Sequence, residues 1–316
     1  MKVITNLFII GNGFDIAHNI KTTYTDFRTY LVNTYPDYSR YPMTMDSLIF
    51  WDEFRLNTAG EYYVRFLIDT IDMVENKDLL KICKESLQWN DYESSLGKLD
   101  LSEYLYDSLH PKYKIEPDET NQQALFVLQN NMLPFYTTFF NEWVNQINLN
   151  DVQPLENFTK LIEKDSVFLT FKYTLTLEEI YGIKKVTHIH GKQNDEEIII
   201  GHNEKFNKKL YNKYSDIYDE LITLNETLRK DTTKVIKKNQ DFFTKLSNNN
   251  VTSIYNYGFS FSKPDRPYIK KIIDSVNTES ITWYLNEFDK DKNKEFIYII
   301  RQAGFKGGFS YFDLSN

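Results

Sequence analysis

The residues best suited to chemistry are glycines, imidazoles, amides and hydroxyls that follow short apolar runs. Leu7, Phe8, Ile9 and Ile10 have the β-rich composition of a buried strand, and they stop at Gly11-Asn12-Gly13. Phe14, Ala17, Phe27, Tyr30 and Leu31 then recur near helical spacing, so the order reads strand, glycine turn, helix. Such a turn would let the N–H groups of Gly11 and Gly13 approach a phosphate, with the positive end of the next helix favouring its charge. The competing reading is a turn tight only for packing. Ile16 stands where the dinucleotide fingerprint wants a third small residue, which excludes a standard dehydrogenase loop. Asp15 is expected either to satisfy N–H groups at the helix start or to bond a ribose. Further runs end in Lys172-Tyr173-Thr174, His190-Gly191, Gly201-His202-Asn203 and Gly258-Phe259-Ser260, so five strand ends would deliver polar groups to one rim. His188 and His190 alternate, which in a strand turns both rings to one face. No nearby carboxylate or further histidine strengthens that pair as a metal half-site, so no metal is expected.

The elements that must hold these groups are an α/β core and helical insertions. Strands are expected at residues 166–171, 186–190, 197–201, 252–257, 280–285 and 295–300 as well as 7–10, with helices at 174–181 and 265–275. If the strands are parallel, ligands sit at their carboxyl ends. Residues 45–149 carry helical periodicity, with a loop at 110–121 and an interruption at Pro134. Trp89, Glu93 and Leu96 share one helical face, where Glu93 must be paired or face a cavity. His18 is expected at the surface or as a cap partner. The charged stretch 205–249 spaces Leu210, Tyr214, Tyr218, Leu221, Leu224 and Leu228 as an amphipathic helical pair. The domain reading is therefore a Rossmann-like nucleotide-binding core at 1–44 and 160–316, a helical insertion at 45–159 and a second at 204–250.

Bulk properties narrow the class. With 316 residues and 41% hydrophobic composition the chain can bury a sizeable core. A net charge of −8 argues against an extended nucleic-acid grip. The single cysteine, Cys83, excludes an intrachain disulfide, and no spanning-length apolar segment is present, so a cytoplasmic protein without a membrane partner is expected.

Ile9-Ile10-Gly11-Asn12-Gly13-Phe14-Asp15 with Tyr24 to Phe27, Trp89 with Glu93, Phe171-Lys172-Tyr173-Thr174, His188 to Gly191, Gly201-His202, and Tyr257 to Ser260 with Asp265 together resemble the bacterial AbiH family of abortive-infection proteins. More distantly, the glycine turn with Asp26-Phe27-Arg28, the His-Gly and the late Gly-x-Ser resemble the sirtuin-like NAD-binding fold, without its zinc cysteines. The resemblance implies a sirtuin-like, Rossmann-type parallel sheet and an NAD glycohydrolase that depletes NAD, its substrate, during phage infection. Under it, Gly11, Asn12 and Gly13 hold phosphate, and Asp26 and Phe27 flank the nicotinamide. Arg28 contacts phosphate or ribose, Gly258 and Ser260 take the adenosine half, and Thr174 and Gly191 join the binding set. His190 is the general base. Lys172 departs from the motif, which has Asn there. Its charge would oppose an oxocarbenium-like centre, so this chain is expected to bind NAD and cleave it weakly. The alternatives are a non-catalytic nucleotide-sensing module and, third, a nucleic-acid-cleaving toxin. A phage-encoded trigger and a homo-oligomer are the partners considered.

Overall fold

The computed structural model describes residues 5–40, 59–75, 91–99, 117–206 and 217–314. Trp89, Cys83, Leu210 and Tyr214 lie outside these. The described residues divide into two compact units, one within Met1–Thr22, Val144–Ile199 and Asp231–Asn316, the other within Thr23–Trp143 and Ile200–Lys230. The second unit takes in most of both helical stretches read from sequence as insertions, together with the Tyr24–Thr34 helix, while residues 144–159 of one and 231–250 of the other, with the Thr232–Lys238 and Gln240–Ser247 helices, belong to the first.

The first unit is built on six strands: β1 (Asn6–Ile10), β2 (Val167–Thr170), β3 (Val186–His188), β4 (Ser253–Tyr257), β5 (Thr282–Asn286) and β6 (Gly308–Phe312). All five pairings are parallel and the order is β3-β2-β1-β4-β5-β6. A parallel sheet is covered on both faces, so its central strands are apolar on both sides. Every residue of β1 is buried, and alternation sorts them. Leu7 and Ile9 enter one core with Ile254, Trp283, Leu285 and the Arg266–Asp274 and Asn293–Gln302 helices. Phe8 and Ile10 enter the other with Phe158, Phe168 and Leu177. On that second face Phe168, Phe8, Tyr255 and Tyr284, in register across four strands, stack with centroids 5.0, 4.8 and 4.6 Å apart.

Two strand expectations change, and one strand is added. Residues 197–201 make no ladder; Ile199 instead donates its N–H to the His190 carbonyl and accepts from the Tyr173 hydroxyl. Residues 295–300 lie inside the Asn293–Gln302 helix, because Phe296 and Ile300, four apart, are the buried pair while Tyr298 is 63% exposed. Its place at the sheet edge is taken by β6, which sequence reading passed over.

In the second unit, Pro117 opens the Pro117–Val127 helix, correcting the loop expected through residue 121; proline suits a first helical position. A π-helical turn, Leu128–Met132, follows and covers Asn130, whose carbonyl the Pro134 ring would otherwise meet. No described helix is long and apolar enough to cross a membrane.

Candidate functional site

The parallel order brings four polar strand ends of the first unit to one edge of the sheet: Gly11-Asn12-Gly13 after β1, Lys172 after β2, His190 after β3 and Gly258-Phe259-Ser260 after β4. Strand order reverses between β1 and β4, the crevice in which doubly wound sheets bind ligands.

At that crevice the glycines bring backbone against backbone. A Cβ on Gly11 would lie 2.4 Å from the Gly258 carbonyl oxygen, and one on Gly258, whose φ is +66°, would lie 2.4 Å from the Phe14 nitrogen. Gly11 donates its N–H to the Tyr257 carbonyl and Gly13 to the Gly258 carbonyl, both at 2.9 Å. The expectation that these two N–H groups face a phosphate is therefore corrected, because the adjoining strand end takes both. Asn256, fully buried in β4, donates to the Phe259 carbonyl and holds the same turn.

Beside the turn is a polar cluster. Asp15, 0% exposed, accepts from the Thr174 hydroxyl at 2.8 Å and the Thr176 hydroxyl at 2.9 Å. Lys172 Nζ lies 3.5 Å from Asp15 Oδ2 and donates to Asn12 Oδ1 at 2.6 Å. Thr22 donates to the same amide oxygen. Asp15 thus receives hydroxyl protons and answers a cation. His18, expected at the surface, is buried: Nδ1–H donates to the Phe14 carbonyl and Nε2 accepts from the Tyr181 hydroxyl. Burial lowers its pKa below the ordinary histidine value, with the Phe14 bond and Asp15 opposing.

The two histidines after β2 part company. His188, the last residue of β3, lies between the Lys172 carbonyl on Nδ1 and Glu178 Oε1 on Nε2, each at 2.8 Å. His190 lies past the strand end in a turn, so the same-face expectation does not hold. Its ring is packed by Phe171, Tyr173 and Tyr268, and Nε2 is 3.6 Å from Asp265 Oδ1. Asp265 was legible as a motif residue without a role. Gly191, at φ +85°, lets the chain turn back, and Ser260 is exposed.

The remaining candidates belong to the second unit and are used within it. Asp26 and Thr23 form a capping box at the start of the Tyr24–Thr34 helix. Phe27, 0% exposed, packs on Tyr92, Phe140 and Trp143. Arg28 makes a bidentate pair with Asp72 at 3.0 and 2.8 Å, both buried. Glu93 is paired, as its apolar face required, with the fully buried Lys230 ammonium at 2.8 Å. His202, expected at a strand end, donates from Nε2 to the Asn225 carbonyl and accepts on Nδ1 from the Glu204 N–H. Burial lowers its pKa, against the Asn225 bond, which raises it.

A model of the family described as "Bacteriophage abortive infection AbiH" matches residues 7–287. No curated protein matches the chain.

Proposed function

The chain belongs to the bacteriophage abortive infection AbiH family, and on that premise we propose that its first unit binds NAD and hydrolyses the bond between nicotinamide and ribose. The observation that carries this reading is the strand order 3-2-1-4-5-6, which is that of dinucleotide-binding sheets, with the glycine turn after β1 and the Gly258–Ser260 turn on either side of the reversal. The donor set fits such a ligand in one respect and not in another. Asn12, Lys172 and Ser260 place polar side chains after three adjacent strands, with Lys172 and Asn12 bonded to each other. The N–H groups of Gly11 and Gly13 are taken, so a pyrophosphate would be held by side chains. Loss of nicotinamide leaves positive charge on the ribose, and hydrolysis needs a proton acceptor for water. His190 beside Asp265 is the acceptor in this reading.

Lys172 favours a second reading, a nucleotide-binding module with little turnover. Its ammonium bonds Asn12, the amide nearest the turn, and brings charge toward a centre that becomes positive. The test incubates purified protein with NAD, following binding calorimetrically and free nicotinamide chromatographically. Binding with nicotinamide release supports hydrolysis, and binding without release supports the module. No binding by the parent chain or by Lys172→Asn sinks both.

A further inference from the structure

We infer that Asp265 and His190 act as one unit, the carboxylate setting the protonation and orientation of the imidazole. A histidine that is 2% exposed and packed by Phe171, Tyr173 and Tyr268 takes up a proton poorly by itself, since burial disfavours the charged ring. Among the groups about the ring are the titratable Tyr173 and Tyr268 and Asp265, which supplies negative charge 3.6 Å from Nε2. That separation is too long for a strong direct hydrogen bond and short enough for an ion pair once the ring is protonated.

Both partners are fixed. The His190 carbonyl accepts from the Ile199 N–H at 2.7 Å. Asp265 donates its N–H to the Ser262 carbonyl, its Oδ2 accepts from the Ser262 hydroxyl at 3.2 Å, and its Oδ1 faces His190 Nε2 at 3.6 Å. Pro264 and Pro267 flank it at the start of the Arg266–Asp274 helix, limiting the backbone on either side. A carboxylate on Nε2 favours the tautomer protonated there, which puts the lone pair on Nδ1. When the ring takes a proton from water, Asp265 answers the imidazolium. The carboxylate is a positioning residue, reaching the reaction only through His190.

This deepens the NAD-hydrolysis reading and rests on it for its activity arm alone. In that arm Asp265→Asn lowers kcat about 10²-fold with KM for NAD little changed, and Asp265→Glu recovers part of the loss. In a His190→Ala background Asp265→Asn changes nothing further. An equal loss in both backgrounds would overturn the inference. The second arm needs no activity: nitrogen NMR follows imidazole titration, with the His190 signal identified by its absence in His190→Gln. The His190 midpoint should fall by about one pH unit in Asp265→Asn, since an opposite charge is removed. An unchanged midpoint in a variant that melts like the parent overturns the pairing. If the parent chain releases no nicotinamide, the hydrolysis reading fails and the titration still decides whether the two residues act together.

Discussion

Lys172 and Asp15 form an ion pair, 3.5 Å apart, in which the aspartate side chain is fully buried and the lysine side chain is 12% exposed. The pair joins the segment after β2 to the helix after β1. Removing one partner strands the other: Lys172→Asn leaves Asp15 with two hydroxyl donors and no cation. We expect it to cost about 3 kcal/mol in urea unfolding, while Asp15→Asn combined with Lys172→Met costs less than either single change. Single variants as stable as the parent would show that the pair contributes nothing. If lysine suppresses turnover, the same Lys172→Asn protein, assayed well below its melting temperature, releases nicotinamide faster than the parent. Equal rates would remove position 172 from the chemistry.

His190→Ala is expected to lower nicotinamide release about 10²- to 10⁴-fold. Because the ring is packed among three aromatics, it also costs stability, so His190→Gln is the better comparison. Circular-dichroism melts beside the release assay separate the effects. A well-folded His190→Gln enzyme with parental turnover removes His190 from the reaction.

Two glycines with the same backbone sign separate conformational strain from collision. Gly258 has φ +66° and no room for a Cβ, whereas Gly182 has φ +65° with nothing within 4 Å of the added atom. Gly182→Ala should cost about 1–2 kcal/mol, the left-handed penalty alone. Gly258→Ala should cost clearly more, because the turns after β1 and β4 must move apart. Similar melting temperatures for the two variants would mean that the close approach can relax.

Stability should fall on mild acidification. In His18 and His202 the folded pKa lies below the ordinary 6.5, chiefly through burial, so the unfolded chain binds protons more readily than the fold. Their contribution is whole above about pH 6.5 and declines as pH drops from there toward the lowered folded values. Melts between pH 7.5 and 5.5 should show this slope, and His18→Gln and His202→Gln should each flatten it. A slope left intact by both variants assigns it to other groups.

What sequence reading could reach follows from which forces are local. β1, β2, β4 and β5 were legible because each is a short apolar, β-branched or aromatic run stopped by polar residues or glycine. Residues 295–300 have the same composition, yet the buried positions Phe296 and Ile300 repeat at helical spacing; Gly304, at φ +104° just past the helix end, was the overlooked signal. β6 escaped because it is an edge strand with only Phe312 buried, so no continuous apolar run marks it. Residues 197–201 are apolar without being a strand, since their backbone bonds go to His190 and Tyr173 rather than to a ladder. At the site, the glycine turn, Lys172 and His190 were visible as residue types at strand ends. The pairings Lys172–Asp15, His190–Asp265 and Glu93–Lys230 were not, because partners far apart in the chain leave no local pattern. The capping box was writable from Thr23 and Asp26 alone, and the ligand role implied for Asp26 drew attention from it.

Among the described strands, β1 waits longest for its neighbours. Leu7 pairs with Val167 on one side and Ile254 on the other, so both partners of β1 are translated well after it. Pairings this distant carry a large loop-closure cost and slow folding. During synthesis the crevice between β1 and β4 does not exist until the chain has passed Tyr257. A nascent chain that has passed His190 but not Tyr257 carries the glycine turn, Lys172 and His190 but no second wall, so translation itself delays any activity of that crevice until β4 has left the ribosome.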